Sequence, residues 1–395
     1  MMDRLWLHSR IPATAGGTPL QGTPMARTSA DTIISGLPHT NGMPPPDRKP
    51  GPARRSDRFL GGLAAAERVV FLSHIHPDPD SLGSMLGLAH LVESRLGKPC
   101  VLTQDGCVGR AENRAMIDLL QLELQPIEGF TFRPGDMAVM VDSQPGTGRH
   151  TCGKPANLYA VVDHHVTPGD LNAVPFIDLR PDVGATCTLV TRYLMEQRVE
   201  IPVKVATALM YGIETELSGF PRDGSAIDDD AIGILYPLAD KDLLSQIRYA
   251  RLPRSHFECL ALALQNAVLL DRVTFTWVDP MQLPEQAAEV VDFLVRCEQV
   301  DWALCAGVYG RQLILSVRSA QPHARAGELL REVVGNWGNA GGHERRAGGC
   351  ITLTDLSPTA IQKVRKEILD RIRKVFGVEQ ASTQQLVSGP KLTGI

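Results

Sequence analysis

Long apolar runs are absent from this 395-residue chain, and none approaches the roughly 18 residues that span a bilayer, so no membrane partner is expected. A surplus of one charge sign is absent too: 40 Lys and Arg stand against 44 Asp and Glu, a formal net charge of −4. Wrapping long nucleic acid non-specifically needs excess cations to displace counterions from phosphates, so that partner class is not expected. A short or small phosphorylated partner remains open. The third absence is paired cysteine spacing. None of Cys100, Cys107, Cys152, Cys187, Cys259, Cys297, Cys305 and Cys350 forms a CxxC pair, and several lie inside apolar runs. That suits reduced, buried thiols in a cytoplasmic protein better than a disulfide framework or a structural zinc site. What is there, 43% hydrophobic and 21% charged residues, is ordinary globular composition with length for two or three domains.

Composition divides the chain. The first 57 residues hold nine Pro and six Gly, with seven basic against four acidic residues, while the remainder carries 33 basic and 40 acidic. Having no helical or alternating period, residues 1–57 are expected to form a disordered arm. Residues 58–235 then read as a first domain, 236–270 as a helical linker, 271–378 as a second domain and 379–395 as a flexible tail.

From Arg68 the pattern is strand alternating with helix. Short apolar runs at 68–73, 137–141, 158–162 and 174–177 are separated by helical stretches, with Ser81 expected to cap a helix from Leu82 to Leu96 and further helices at 185–197 and 203–213. Continuous apolar strands between helices predict an α/β fold, a parallel sheet with helices on both faces. A helical pattern is expected from Asp228 to about Leu270. It places Arg248, Arg251 and Arg254 on one side of a helix, a stripe read as solvated more readily than as cleft-facing. Runs at 273–278, 303–308, 313–317 and 349–353, with helices at 324–337 and 358–375, give a smaller second α/β domain across a cleft.

Chemistry gathers where the first strands end. His74-Ile75-His76-Pro77-Asp78-Pro79-Asp80-Ser81 follows the first run, Asp142 ends a second, and Asp163-His164-His165 ends a third. Strand ends of one parallel sheet converge on the same edge, where such sheets bind their ligands. Carboxylates and imidazoles without thiolates suit hard or borderline divalent ions, Mn²⁺ or Mg²⁺ rather than structural Zn²⁺. Two such ions sharing a carboxylate lower the pKa of a bridging water and clamp a phosphoryl group, which is a hydrolase site.

Gly341, Gly342, Gly348 and Gly349 flank His343, Arg345 and Arg346. Glycines let backbone approach a ligand, exposed N–H groups cradle anions, and Arg grips phosphate through two parallel bonds.

Taken in order, His74-x3-Asp78-x-Asp80-Ser81, Asp142, Asp163-His164-His165 and the glycine-rich 339–349 segment resemble the DHH phosphoesterase superfamily with its DHH-associated C-terminal domain, over about 68–353. The two-domain layout is most similar to the NrnA-type group of oligoribonucleases with phosphoadenosine phosphate phosphatase activity. The resemblance implies His74, Asp78 and Asp142 on one cation and Asp80, Asp142 and His164 on the other, two divalent ions with Mn²⁺ foremost and Mg²⁺ or Co²⁺ as alternatives. It implies Asp142 as the bridge, Asp163 orienting a ligand and His165 toward the scissile phosphate, with Arg318, Gly341, Gly342, His343 and Arg345 or Arg346 holding substrate phosphate. The family's Gly-Ile-x-Thr-Asp-Thr pattern reads Gly212-Ile213-Glu214-Thr215-Glu216-Leu217 here. Glu216 thus stands at a ligand position one methylene longer, or is a solvated helix-end residue. The implied function is Mn²⁺-dependent hydrolysis of short oligoribonucleotides or of the 3′-phosphate of phosphoadenosine phosphate. Exopolyphosphatase or pyrophosphatase activity, and nucleotide binding by a catalytically weakened domain, are the alternatives. Homo-oligomerisation is compatible with the sequence.

Overall fold

The computed structural model describes residues 54–166, 169–217, 224–342 and 344–387. The arm expected over 1–57 therefore lies almost wholly outside the described residues. Its end differs from expectation: helix α1 spans Arg55–Leu63. Ser56 donates from both its amide and its hydroxyl to Glu196, and Phe59 packs against Phe176 and Tyr193. These long-range contacts stabilise a helix that local composition does not favour.

Strands β1 (Arg68–Leu72), β2 (Cys100–Gln104), β3 (Leu124–Pro126), β4 (Asp136–Val141), β5 (Leu158–Asp163) and β6 (Phe176–Leu179) form one sheet in the order β3-β2-β1-β4-β5-β6. Every pairing is parallel. Helices α2 (Pro79–Leu96), α3 (Ala111–Leu119), α4 (Thr186–Glu196) and α5 (Val203–Leu217) bury one face together with α1. Glycine lets them approach: a Cβ on Gly83 would stand 2.8 Å from the Ala208 carbonyl and the Cys187 sulfur, and one on Gly212 would stand 2.5 Å from that sulfur. Layering differs from expectation on the opposite face. Val70, Leu72, Ala138, Met140 and Val161 are covered there by Ile127, Phe130, Phe132, Cys152, Leu171 and Val174. These belong to the irregular connections β3–β4, β4–β5 and β5–β6, which are too polar or too short to carry an amphipathic helix.

The helical stretch expected as a linker is divided. Helices α6 (Ala226–Leu238) and α7 (Lys241–Arg248) bury Ala231, Leu235, Leu244 and Ile247 in the core of the first sheet. Helix α8 (Arg254–Asn266) packs Ala263 against the second sheet instead. Pro253 precedes α8, so Arg248, Arg251 and Arg254 do not share one helix face. Arg248 pairs with Glu214 and Arg254 with Glu258.

Seven strands make the second sheet, β11-β12-β10-β9-β8-β7-β13. They are β7 (Val268–Leu270), β8 (Val273–Val278), β9 (Trp302–Tyr309), β10 (Gln312–Ser319), β11 (Gly338–Gly342), β12 (Arg346–Thr352) and β13 (Thr383–Gln385). Only β8 and β9 pair in parallel, and α9 (Gln286–Leu294) connects them. Helices α10 (Ala326–Val334) and α11 (Pro358–Val375) pack on this sheet. The segment expected as a tail from 379 pairs with β7 as an edge strand before the described residues end.

Candidate metal centre and anion-facing surface

Strand order reverses between β1 and β4, and the crevice outside the carboxyl ends of two such strands is where an open α/β sheet binds ligands. His74 follows β1, Asp142 follows β4, and Asp163 ends β5 with His164 and His165 after it. Asp142 has φ +55 and His76 φ +60, a left-handed backbone that Asp and His tolerate better than most residues. The loop carrying His74 is tied down by Ile75 N–H to the Arg149 carbonyl at 2.7 Å and His76 N–H to the Asp105 carbonyl at 2.8 Å.

Asp142 is the hub. His74 Nε2 stands 3.5 Å from its Oδ2 and 3.5 Å from Asp78 Oδ2, and His164 Nε2 stands 3.5 Å from its Oδ1. His165 Nδ1 lies 3.6 Å from Oδ1 and hydrogen-bonds Asp163 at 2.8 Å. Two ligand groups share this carboxylate, His74–Asp78–Asp142 and Asp142–His164–His165. His74 Nε2 is buried with no hydrogen-bond partner. A buried polar atom left unsatisfied is costly, and this one faces two carboxylates across gaps too long for a good hydrogen bond. One cation bonded to all three groups satisfies them together, so the donor set fits a divalent metal.

Electrostatics gives the same reading. Burial and the Arg149 charge pull the pKa of His74 down, but Asp78 and Asp142 outweigh them and raise it to about 9. His164 is likewise raised against burial, chiefly by Asp142 and Glu216. Burial, Asp142 and Glu216 push Asp80 well above the carboxylate range. Asp142 is held far below that range despite burial, by the nearby imidazole of His74 and the charges of His165 and His164. All of these shifts favour added positive charge within the cluster, which is what a bound cation supplies.

Several residues differ from their expected roles. Helix α2 begins at Pro79 with Asp78 as its cap, accepting from Ser81 N–H at 3.1 Å. Proline suits the first helical position, so the start lies earlier than Ser81. Ser81 instead donates to Asp142 Oδ2 at 2.8 Å, and Thr186 to Oδ1 at 3.1 Å. Asp80 accepts at 2.7 Å from the amides of Thr186 and Cys187 at the start of α4, with Oδ2 3.8 Å from His164 Nε2. Glu216 stands outside both ligand groups. Arg346 donates to its carbonyl at 2.7 Å and lies 3.6 Å from its carboxylate.

Among the residues expected to bind phosphate, Arg318 donates to Asp292 at 2.6 Å, and Arg110, before α3, donates to the other oxygen of Asp292 at 2.9 Å. The charges of Arg110 and Arg346 help burial lower the pKa of Arg318, so three guanidiniums share one locality. Arg345 is buried, with its Nη1 unpartnered. His343 lies outside the described residues. The glycine-rich segment is a hairpin rather than an open cradle: β11 pairs with β12, and a Cβ on Gly342 would meet the Arg346 carbonyl at 2.2 Å. Gly341 alone faces open space. Sequence reasoning missed Arg110, Arg149, Gln144, Ser81 and Thr186 as contributors. Gln144 bonds Asp163 at 2.8 Å, and Arg149 approaches His165 Nε2 at 3.4 Å.

Residues 68–213 match the model of the DHH family, N-terminal domain. An uncharacterised protein of Methanocaldococcus jannaschii is 28% identical over 79% of this chain and 65% of its own length. A probable manganese-dependent inorganic pyrophosphatase of Enterococcus faecalis is 24% identical over 45% of this chain and 57% of its own. The bifunctional oligoribonuclease and PAP phosphatase NrnA of Mycoplasma genitalium is 27% identical over 41% and 50%. The chain thus spans less than two thirds of these curated relatives. An exopolyphosphatase-related protein from Bacteroides fragilis shares the fold, with a TM-score of 0.66 at 17% identity over 82% of this chain and 97% of that one. The chain thus carries a segment, residues 68–213, that is similar to the N-terminal domain of the DHH family.

Proposed function

We propose that this chain is a Mn²⁺-dependent phosphoesterase acting on short oligoribonucleotides, on the 3′-phosphate of phosphoadenosine phosphate, or on both. One observation carries the reading: a buried carboxylate, Asp142, is shared by two imidazole–carboxylate groups at 3.5–3.6 Å, and His74 Nε2, facing Asp78 and Asp142, has no hydrogen-bond partner. His74, Asp78, Asp142 and His164, with Asp80 beside them, would hold the cations. When bound, two divalent ions lower the pKa of water and polarise a phosphoryl group.

The chain's own groups do the rest. Ser81 and Thr186 fix both oxygens of Asp142, so the shared carboxylate is aimed before substrate arrives. Asp163 accepts from His165 Nδ1, which orients that ring and leaves the Nε2 lone pair on the side of Arg149. Arg318, Arg346 and Arg110 offer guanidiniums to substrate phosphate, each already balanced by a carboxylate that an anionic ligand would displace. Every cysteine is unpaired, which supports a cytoplasmic setting.

A pyrophosphatase-like hydrolase would use the same cations, and the manganese-dependent pyrophosphatase relative favours keeping it as the second reading. The substrate class is tested with Mn²⁺-loaded protein on RNA two-to-five-mers, single-stranded DNA, pyrophosphate and inorganic polyphosphate. Faster turnover of the short RNAs supports the proposal, and phosphate release from pyrophosphate or polyphosphate alone replaces it with the second reading.

A further inference from the structure

Beside the Asp142 cluster lies a second group of ligating side chains that the proposed chemistry does not use. His76 belongs to the β1–α2 loop, Cys107 to the loop after β2, and Glu285 to the residue before α9 in the second half of the chain. One ligand atom from each of the three lies within 4.8 Å of the others, and Cys107 Sγ is 3.4 Å from His76 Nδ1. Glu285 Oε1 accepts from Gly109 N–H at 2.9 Å, but Oε2 is buried with no hydrogen-bond partner. Glycine at 109 permits this approach, since a Cβ there would fall 2.3 Å from Oε2.

A buried carboxylate oxygen with nothing to bind is an unexplained cost in a structure whose other buried oxygens are largely satisfied. His76 Nδ1 meets the Cys107 backbone, at 2.9 Å from its carbonyl and 3.2 Å from its amide, as well as the thiol, yet these contacts leave Oε2 unanswered. A cation answers it. We propose that His76, Cys107 and Glu285 form a second metal site, separate from the Asp142 centre and selective for a borderline divalent ion, Zn²⁺ foremost. The donor set is one nitrogen, one sulfur and one oxygen, which Zn²⁺ takes at three protein positions with water at the fourth. Mn²⁺ and Mg²⁺ prefer all-oxygen or oxygen–nitrogen surroundings, so the sulfur separates this site from the neighbouring one. On binding, the Cys107 thiol releases its proton and the thiolate takes its place on the ion.

Two ligands come from the first sheet's loops and one from the second half, so an ion here clasps the halves together. It also holds the loop in which His74 and Asp78 stand two residues either side of His76. Zinc would therefore stabilise the closed arrangement of that loop without entering the Asp142 cluster.

Cobalt separates the two centres spectroscopically, because a thiolate-to-Co²⁺ charge-transfer band in the near ultraviolet arises only where sulfur binds. Full-length protein, stripped by chelation and titrated with Co²⁺ and then Zn²⁺, is compared with Cys107→Ser, Glu285→Gln and Asp142→Asn. The band should appear in the wild-type protein and in Asp142→Asn, vanish in Cys107→Ser, and need about 10–100-fold more metal in Glu285→Gln. Zinc should raise the Tm of Asp142→Asn and not that of the double variant Asp142→Asn with Cys107→Ser. Absence of the band from wild-type protein, or its persistence at full intensity in Cys107→Ser, overturns the site.

Discussion

Arg346 on β12 donates to the carbonyl of Glu216, the penultimate residue of α5, at 2.7 Å and lies 3.6 Å from its carboxylate. A cation of the second sheet thereby sits against the helix that borders the metal cluster, and the charge of Glu216 reaches Asp80 and His164. Glu216→Gln should leave the metal content of the Asp142 cluster unchanged while weakening this contact. Arg346→Ala should raise KM for a short nucleotide by about tenfold, the worth of one charge-assisted bond. Metal analysis and steady-state kinetics check both. Loss of bound metal in Glu216→Gln would make Glu216 a ligand.

Asp142→Asn should lower turnover by about 10³-fold or more, because the shared ligand loses its charge and several kcal/mol of phosphoryl polarisation go with it. Its fold should persist. Asn accepts the positive φ of this residue, and its amide oxygen can still accept one of the two bonds from Ser81 and Thr186. Circular dichroism and Tm beside kcat check the pair of outcomes.

Chelated protein should lose stability as pH rises. His74 has a folded-state pKa of about 9, above the roughly 6.5 of an unfolded histidine, so its protonation favours the folded state. That contribution is fully present below about pH 6.5 and is lost as pH climbs towards about 9. Mn²⁺ supplies the same charge, so the loaded protein should not share the decline. Tm measured across this range with chelator and with Mn²⁺ gives the comparison, and parallel curves would contradict it.

Asp292 joins Arg110 to Arg318, with one oxygen to each. Asp292→Ala leaves the two guanidiniums facing each other with only Glu289 and Glu112 acting on Arg110. The carboxylate is partly exposed, so the loss should be modest, about 1 kcal/mol and about 2–4 °C in Tm, and larger at low salt. Thermal melts at two ionic strengths check the size and the salt dependence.

Legibility followed chemistry of different ranges. Strands β1, β4 and β5 are largely apolar runs and β8 alternates apolar residues with threonine, so they were readable from sequence, as was α11, which begins at a proline behind a serine cap. Strand β11 reads Gly-Asn-Ala-Gly-Gly and has no strand propensity of its own; pairing with β12 creates it. Helix α1 was hidden for a similar reason, because its partners Glu196 and Tyr193 lie about 140 residues away. At the site, His74, Asp142 and the Asp163-His164-His165 triplet announce themselves by standing at strand ends. Ser81, Thr186 and Gln144 do not: serine, threonine and glutamine are common everywhere, and only the folded chain selects the ones that touch Asp142 or Asp163. The capping of α4 by Asp80 and the burial of Glu285 beside Cys107 are also products of packing across more than 100 residues.

The proposed activity is cleavage of short phosphorylated ribonucleotides at a divalent-metal centre built on Asp142. Its most direct test is Mn²⁺-dependent hydrolysis of pApA and of phosphoadenosine phosphate by full-length protein whose bound metal has been measured. Turnover of at least one of them is expected, abolished by chelation and restored by Mn²⁺. Protein that holds its manganese and leaves both substrates intact would contradict it.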